Sequence, residues 1–279
     1  MHIFTAANRN YILGLAALLK SIDLNVSKSG QEQVKISIVS TGIDPQQKEQ
    51  LQNCCKYHIE WQEFQSNYDQ LLSLSGSKLA YVKLQPEKYT KETGRLIWID
   101  SDAIVLGSLE PLWNLDLQTT PIAAAPNVWG NPNNSQDRNP YLNSGVLVYN
   151  MKLWEEEQVS EKLMENARLN IWADHDQGAL NSFLAGRWKQ LEQIWNNHNT
   201  EDMSTKVMHF ISRPKPWESS APNQLWLDML SQTPFKDDME NNPNKFKKVS
   251  RFQLKYRKFG QWLTEPILKF KSYVKKQKR

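Results

Sequence analysis

Two aspartates stand one residue apart at the end of a short apolar run. The run covers residues 96–99, and Asp100-Ser101-Asp102 follows it directly. Side chains two positions apart on an extended chain point to the same side. Two carboxylates presented together suit a hard divalent cation, which prefers oxygen ligands and also accepts phosphate oxygens. The motif alone does not decide the matter, because two solvated carboxylates at a strand end give the same pattern.

A histidine and a lysine follow much later in the chain, within one short segment. His209 begins a run of β-forming residues, and Lys215 stands between Pro214 and Pro216. Alone, His209 is typical of a hydrogen-bonded core residue. Together with the two acids it would supply a third metal ligand, and the lysine ammonium would neutralise a phosphate as a compact charge. The two prolines restrict the backbone on either side of that lysine.

Two further polar segments are candidates for a site. Asn143 lies near the start of the segment 142–147, which continues into an apolar run, and the pair Asp176-Gln177 precedes a helical pattern. A turn residue before a strand explains Asn143 equally well. An N-cap that satisfies free N–H groups explains Asp176 equally well. Both interpretations stay open at this level.

The elements that must position these residues alternate along the chain. Such alternation predicts an α/β fold with a mostly parallel sheet and helices on both faces, and ligands then bind beyond the carboxyl ends of the strands. Predicted strands cover residues 2–6, 34–40, 59–64, 96–99, 121–125, 145–149 and 207–211, and predicted helices cover 11–22, 45–55 and 154–169.

Composition limits the class of protein. With 39% hydrophobic residues and 11 Trp among 279 residues, the chain can bury a real core, which excludes wholesale disorder. No apolar run reaches the roughly 18 residues of a spanning helix, and no secretory signal is visible at the start. The two cysteines, Cys54 and Cys55, are adjacent. They exclude a disulfide scaffold and a four-cysteine zinc site, and they fit a reducing compartment.

Taken in order, these segments resemble glycosyltransferase family 8, the retaining family of bacterial lipopolysaccharide galactosyl- and glucosyltransferases and glycogenin. The resemblance runs from about residue 1 to residue 217. It is carried by residues 4–11, 98–102, 108–113, 143–147, 176–177 and 209–217. The last of these blocks matches the family's closing pattern, in which a histidine is followed six residues later by Lys-Pro-Trp.

The resemblance implies an A-type glycosyltransferase fold with a Rossmann-like core. It also implies transfer of a hexose, galactose or glucose, from a UDP-sugar to a glycan or lipid-linked acceptor, with Mn²⁺ as cofactor and Mg²⁺ as the alternative. The implied metal ligands are Asp100, Asp102 and His209. The implied donor-binding residues are Ala6, Asn8, Asn10 and Tyr11 around the uridine, with Asp100, Ser101 and Lys215 at the diphosphate. The implied catalytic residues, facing the transferred sugar and the acceptor, are Asn143, Asp176 and Gln177. For these we expect same-face attack, with double displacement through Asp176 or Gln177 as the alternative.

Four positions depart from the family pattern. Asn8 replaces a usual acid, although its side-chain oxygen can still accept a hydrogen bond from uracil. Tyr81 stands where a basic residue is usual, with Lys78 or Lys83 as replacements. Ser212 replaces a usual glycine, and Gly178 replaces a second acid. These changes leave the metal ligands intact and bear on the choice of sugar.

The end of the chain differs from the rest in charge. Residues 245–279 hold 13 Lys or Arg and one acid, Glu265, a net charge of +12, and the remainder of the chain therefore carries −8. Aromatic residues recur at helical spacing among these basic residues. We therefore predict a catalytic domain over 1–218, a polar linker over 219–244 and a membrane-associating tail over 245–279 that binds anionic lipid. Nucleic-acid binding and a solvated face are the competing interpretations, and no nucleic-acid partner is expected. The expected location is the cytoplasm, at the inner face of the membrane.

Two other functions compete with the transferase. Residues 97–105 also resemble the nucleophile loop of haloacid-dehalogenase-type phosphatases, in which Asp100 would accept a phosphoryl group. The third hypothesis is a nucleotide-sugar-binding protein without turnover, which the departures at Tyr81 and Ser212 favour.

Overall fold

The computed structural model describes residues 1–26, 33–65, 71, 77–134, 136–137, 139–170, 172, 174–199 and 201–238. The predicted tail 245–279 lies outside the described residues, as do the last residues of the predicted linker, 239–244. Within the part of the chain that is described, no helix combines the length and the apolar character needed to cross a bilayer.

Seven strands form the central sheet in the order β3-β2-β1-β4-β7-β6-β8. Strands β1 to β4 run parallel to one another, β7 is antiparallel to both β4 and β6, and β8 is parallel to β6. This confirms a mostly parallel sheet. The strands are β1 (His2–Asn8), β2 (Lys35–Thr41), β3 (Ile59–Glu63), β4 (Arg95–Ile99), β5 (Ala103–Val105), β6 (Ile122–Pro126), β7 (Leu142–Asn150), β8 (Lys189–Gln190) and β9 (Val207–His209).

Helices cover both faces of this sheet, and each face has its own hydrophobic core. The central strands are apolar along their length because both of their faces are buried. One core contains α1 and α7, and the other contains α4, α5 and α6. The helices are α1 (Ile12–Asn25), α2 (Pro45–Gln52), α3 (Glu110–Trp113), α4 (Met151–Glu156), α5 (Val159–Leu169), α6 (Asp176–Leu184) and α7 (Gln224–Leu230).

Two regions differ from the sequence-based expectation. The helix predicted over 154–169 is broken, because Gln158 adopts a left-handed backbone with φ of 53° between α4 and α5. Residues 219–238, within the range predicted as a linker, contain α7 and pack on the domain. Trp226, Leu230 and Phe235 are almost completely buried there, so apolar side chains at helical spacing hold this segment in place.

Close packing at Gly14 of α1 fixes the position of the acidic turn. A Cβ atom added to Gly14 would lie 2.6 Å from the carbonyl oxygen of Ser101 and 2.6 Å from the ring of Trp217. The missing side chain therefore lets α1 approach both the turn after β4 and the segment after β9. The first of these segments carries Asp100 and Asp102, and the second directly follows His209.

Candidate functional site

The two acids lie in a turn between β4 and β5. The Ala103 N–H donates to the Asp100 carbonyl at 3.0 Å, so the chain turns here instead of staying extended as the spacing argument assumed. Both carboxylates nevertheless approach one imidazole. His209 Nε2 lies 3.1 Å from Asp102 Oδ1 and 3.7 Å from Asp100 Oδ2. Antiparallel pairing of β5 with β9, which aligns Ala103 with His209, brings these distant segments together.

The donor set fits a divalent cation such as Mn²⁺. One ligand atom from each of Asp100, Asp102 and His209 lies within 4.8 Å of the other two. Carboxylate oxygens suit Mg²⁺ and Mn²⁺, and an imidazole nitrogen suits the transition metals. A mixed oxygen and nitrogen set of this kind can therefore hold a divalent metal ion.

Lys215 holds Asp102 from the opposite side. Its Nζ lies 2.6 Å from Asp102 Oδ2 and donates to the carbonyls of Phe210 and Ile211 at 2.6 and 3.0 Å. Burial alone would raise the pKa of Asp102, but His209 and Lys215 hold that pKa well below its usual range. Asp102 is thus an anion held between His209 and Lys215.

A second buried lysine lies on the other side of Asp100. Lys83, in the 3₁₀ helix Leu79–Leu84, has its Nζ 2.9 Å from Asp100 Oδ1 and 3.3 Å from Asp176 Oδ2. Its ammonium also donates to the carbonyl of Ser144 at 3.1 Å. Burial lowers the pKa of Lys83, but the two carboxylates outweigh this effect and raise it. Lys83, one of the two replacements considered for the usual basic residue near Tyr81, therefore reaches the site.

Asp176 and Gln177 lie at the start of α6 and bind the backbone and side chain of Ser144. Asp176 is not the N-cap, since His175 occupies that position. Asp176 Oδ2 accepts from Ser144 Oγ at 2.8 Å, and Gln177 Oε1 accepts from the Ser144 N–H at 3.1 Å. Gln177 Nε2 donates to Asp174 Oδ2 at 3.0 Å. Burial and the nearby Asp100 raise the pKa of Asp176, and Lys83 opposes them.

Asn143 is buried, and its side-chain oxygen is engaged. Asn143 Oδ1 accepts from the Gly145 N–H at 2.9 Å and from Asn196 Nδ2 at 2.7 Å, and Asn196 Oδ1 lies 2.9 Å from His209 Nδ1. Sequence reasoning missed Asn196, because one asparagine in a short segment after a tryptophan carries no motif.

The residues predicted for the uridine lie at the carboxyl end of β1 or directly after it. Asn8 Oδ1 accepts from the Asn10 N–H at 2.9 Å and so begins the 3₁₀ helix Arg9–Tyr11. The Tyr11 ring meets the Trp217 ring edge-on at 5.2 Å. Burial and then the charge of Asp102 raise the pKa of Tyr11 to about 12. Ala6 is half-buried on β1, and Ser101 is buried in the acidic turn.

An exposed aromatic ring borders the metal ligands. Trp129, in the loop after β6, is 62% exposed and stacks on His198 with ring centroids 5.2 Å apart. His198 and His209 line a cavity of about 240 Å³ together with residues 210–212, 214, 216, 219 and 221–223. Of the three candidate metal ligands, His209 lines this cavity.

This mostly parallel sheet, with the acidic turn after β4 and His209 of β9 beside it, has the A-type glycosyltransferase fold. The chain belongs to glycosyltransferase family 8, because the family model matches residues 2–221. It is therefore a glycosyltransferase, which excludes the phosphatase hypothesis.

Relatives and solved structures agree with this assignment. General stress protein A of Bacillus subtilis is 27% identical over 254 residues, covering 79% of this chain and 88% of the relative. The lipopolysaccharide 1,3-galactosyltransferase of Salmonella typhimurium is 25% identical and covers 60% of this chain and 57% of that protein. A crystal structure of the galactosyltransferase LgtC with donor and acceptor sugar analogues superposes with a TM-score of 0.71 at 19% identity, covering 84% of this chain and 96% of LgtC.

Proposed function

We propose that this protein is a retaining transferase that moves a hexose, galactose or glucose, from a UDP-sugar to a glycan or lipid-linked acceptor with Mn²⁺ as cofactor. The observation that carries the proposal is the convergence of Asp100, Asp102 and His209 in a chain of this family. The similarity to a lipopolysaccharide galactosyltransferase supports a hexose donor and a lipid-linked acceptor.

The donor would lie along the carboxyl ends of β1 and β4. Ala6, Asn8, Asn10 and Tyr11 would surround the uridine, and Ser101 would lie at the diphosphate. Asn8 Oδ1 already accepts one backbone hydrogen bond, and its second lone pair would accept from uracil. This arrangement agrees with the rule that such sheets bind ligands beyond their carboxyl ends.

Departure of UDP places negative charge on the leaving diphosphate. A divalent cation held by Asp100, Asp102 and His209 would supply electrostatic stabilisation of that charge. Lys215 would add a fixed positive charge next to Asp102, where its ammonium lies 2.6 Å from the carboxylate. Lys83 would do the same on the side of the transferred sugar, because it is buried between Asp100 and Asp176.

Retention by same-face attack is the mechanism that the contacts favour. Gln177 Oε1, the atom that would act as a nucleophile, accepts a backbone hydrogen bond, and Asp176 Oδ2 is engaged by Ser144 and Lys83. In this mechanism the leaving phosphate oxygen takes the proton of the acceptor hydroxyl, while Asp176 and Gln177 hold the sugar. A trapped glycosyl-enzyme on either residue would establish double displacement instead.

The acceptor would bind at the cavity lined by His198, the residue on which Trp129 stacks. An exposed indole stacked on His198 offers a flat apolar face to a sugar ring. We further propose, from charge alone, that residues 245–279 bind anionic lipid and bring the enzyme to a lipid-linked acceptor. Removing that segment should abolish binding to anionic liposomes and leave hydrolysis of the free donor unchanged. Equal liposome binding by the truncated chain would refute the role of the tail.

A panel of UDP-sugars tests the function directly. The full-length protein is incubated with each UDP-sugar, with and without Mn²⁺, and UDP release is measured together with UDP affinity by calorimetry. We expect release from UDP-galactose or UDP-glucose that needs Mn²⁺ and is lost in His209→Ala. Tight, Mn²⁺-dependent binding without release would identify a binding protein without turnover. UDP affinity that ignores both Mn²⁺ and His209→Ala would overturn the proposal.

A further inference from the structure

A chain of buried amides connects the backbone of β7 to the imidazole of His209. The Gly145 N–H donates to Asn143 Oδ1 at 2.9 Å, and Asn196 Nδ2 donates to the same oxygen at 2.7 Å. Asn196 Oδ1 then lies 2.9 Å from His209 Nδ1. Asn143, Asn196 and His209 are 6%, 0% and 5% exposed, so each of these polar atoms depends on its partner in the chain.

The hydrogen bond donated by the Gly145 N–H fixes the direction of the hydrogen bonds that follow it, up to His209. A backbone N–H can only donate, so the atom of Asn143 that faces Gly145 is the oxygen. That oxygen requires a donor from Asn196, which must therefore present its NH₂ group. The remaining oxygen of Asn196 faces the imidazole and can only accept. His209 Nδ1 consequently carries a hydrogen.

From this we propose that Asn196 is a positioning residue. Together with Asn143 it keeps the imidazole proton on Nδ1 and leaves the Nε2 lone pair of His209 for the divalent cation. The inference rests on the proposed metal role of His209. Partners of this kind, which orient a metal-binding imidazole through its other nitrogen, strengthen metal binding.

The series of hydrogen bonds from Gly145 to His209 is needed because a second acceptor competes for the imidazole proton. Asp102 Oδ1 lies 3.1 Å from His209 Nε2 and would accept the proton if it moved to that atom, which would block the ligand position. To allow this, Asn196 would have to turn its oxygen against Asn143 Oδ1. Two buried acceptors in contact would leave both without a donor, at a cost in free energy.

The His209 ring also has little room to move away from Asn196. A Cβ atom on Gly145 would overlap the imidazole of His209, so the ring packs directly on the backbone of β7. Gly145, whose N–H begins this series of hydrogen bonds, therefore also fixes the position of the His209 ring at its end.

Nuclear magnetic resonance of the metal-free protein tests the tautomer. The full chain is labelled with ¹⁵N-histidine and recorded at alkaline pH, where the ring carries one proton, and the His209 signals are identified by their loss in His209→Gln. We expect the proton on Nδ1 in the parent and in Asn196→Asp, whose carboxylate still accepts it. We expect it to move toward Nε2 in Asn196→Leu. The matched control is Asn197→Leu, since Asn197 is equally buried but bonds Asp202 and Thr205.

A proton on Nε2 in the parent, or an unchanged tautomer in Asn196→Leu, would overturn the inference. If Asn196→Leu does not fold, Asn143→Leu tests the tautomer of His209 instead, because it removes the oxygen that orients the Asn196 amide.

Mn²⁺ affinity, measured by electron paramagnetic resonance without any sugar, is the second readout. We expect Asn196→Leu to weaken Mn²⁺ binding by about 10- to 100-fold, with Asn197→Leu unchanged. Equal Mn²⁺ affinity in the parent and Asn196→Leu would contradict the positioning role. If His209→Gln also left Mn²⁺ affinity unchanged, the proposed metal site itself would be refuted. The tautomer measurement would still show whether Asn196 keeps the proton on His209 Nδ1.

Discussion

Two buried pairs of lysine and aspartate lie on either side of Asp100, and the pKa of the carboxyl group is shifted in opposite directions in the two pairs. Asp102 faces both Lys215 and His209, which hold its pKa well below the usual range. Asp176 faces Lys83, but it shares that lysine with Asp100, and burial leaves its pKa raised. Asp102 thus has Lys215 to itself, whereas Asp176 and Asp100 share Lys83.

The difference separates two tasks within one site. A carboxylate that stays ionised is a ready ligand for a cation, which agrees with the metal role proposed for Asp102. A carboxylate that is only partly compensated depends on its hydrogen-bond donors, Ser144 and Lys83, and suits the binding of sugar hydroxyls. We call Asp102, Lys215 and His209 the metal half of the site, and Asp176, Lys83 and Ser144 the sugar half. Asp100 belongs to both halves, since it contacts Lys83 with one oxygen and approaches His209 with the other.

The largest effect is expected from Asp102→Asn. It removes a metal ligand and leaves Lys215 and His209 without their buried partner. We expect Mn²⁺-dependent kcat/KM to fall at least about 100-fold, since a metal ion contributes several kcal/mol to stabilising the leaving group. Loss of the buried ion pair should cost about 3 kcal/mol of stability, read from denaturant unfolding.

Asp228→Asn, on the surface of α7, is the control for a change of one charge. Mn²⁺ affinity measured directly should fall for Asp102→Asn alone. Unchanged Mn²⁺ affinity in that variant would mean that this pair does not serve the metal.

A smaller effect, on turnover alone, is expected from Lys83→Met. It removes the cation between Asp100 and Asp176 but no metal ligand. We expect kcat to fall about 30-fold, which corresponds to about 2 kcal/mol of transition-state stabilisation. Mn²⁺ affinity should stay within about threefold of the parent, because removing a nearby cation favours a bound cation and offsets the lost hydrogen bond to Asp100. Lys83→Arg keeps the charge and should recover part of kcat. If Lys83→Met weakened Mn²⁺ binding as strongly as Asp102→Asn, the two halves would share one task.

The two halves also differed in how far the sequence could predict them. Apolar runs predicted β1, β2 and β4. The family resemblance implied that Asp100, Asp102 and His209 act together, and the structure brings their side chains together. Lys83 was only one of two alternatives, since a lysine in an apolar segment does not reveal which carboxylates it meets. The break at Gln158 and the packing of α7 depend on backbone conformation and tertiary contacts, which local patterns do not contain.

The smallest effect is expected from Ser144→Ala. Ser144 Oγ donates to Asp176 at 2.8 Å and also lies 3.4 Å from Lys83 Nζ, so the variant removes one donor from the carboxylate that has too few. A hydrogen bond of this kind contributes about 1 kcal/mol, and we expect kcat to fall about fivefold while Mn²⁺ affinity stays the same. Ser160→Ala is a matched control, because Ser160 is equally buried and bonds another carboxylate, Glu87, at 2.7 Å. It should lower stability by a similar amount without changing kcat. Equal kcat in both variants would show that Asp176 does not need its hydroxyl donor, and the contrast between the two carboxylates would then rest on Lys83 alone.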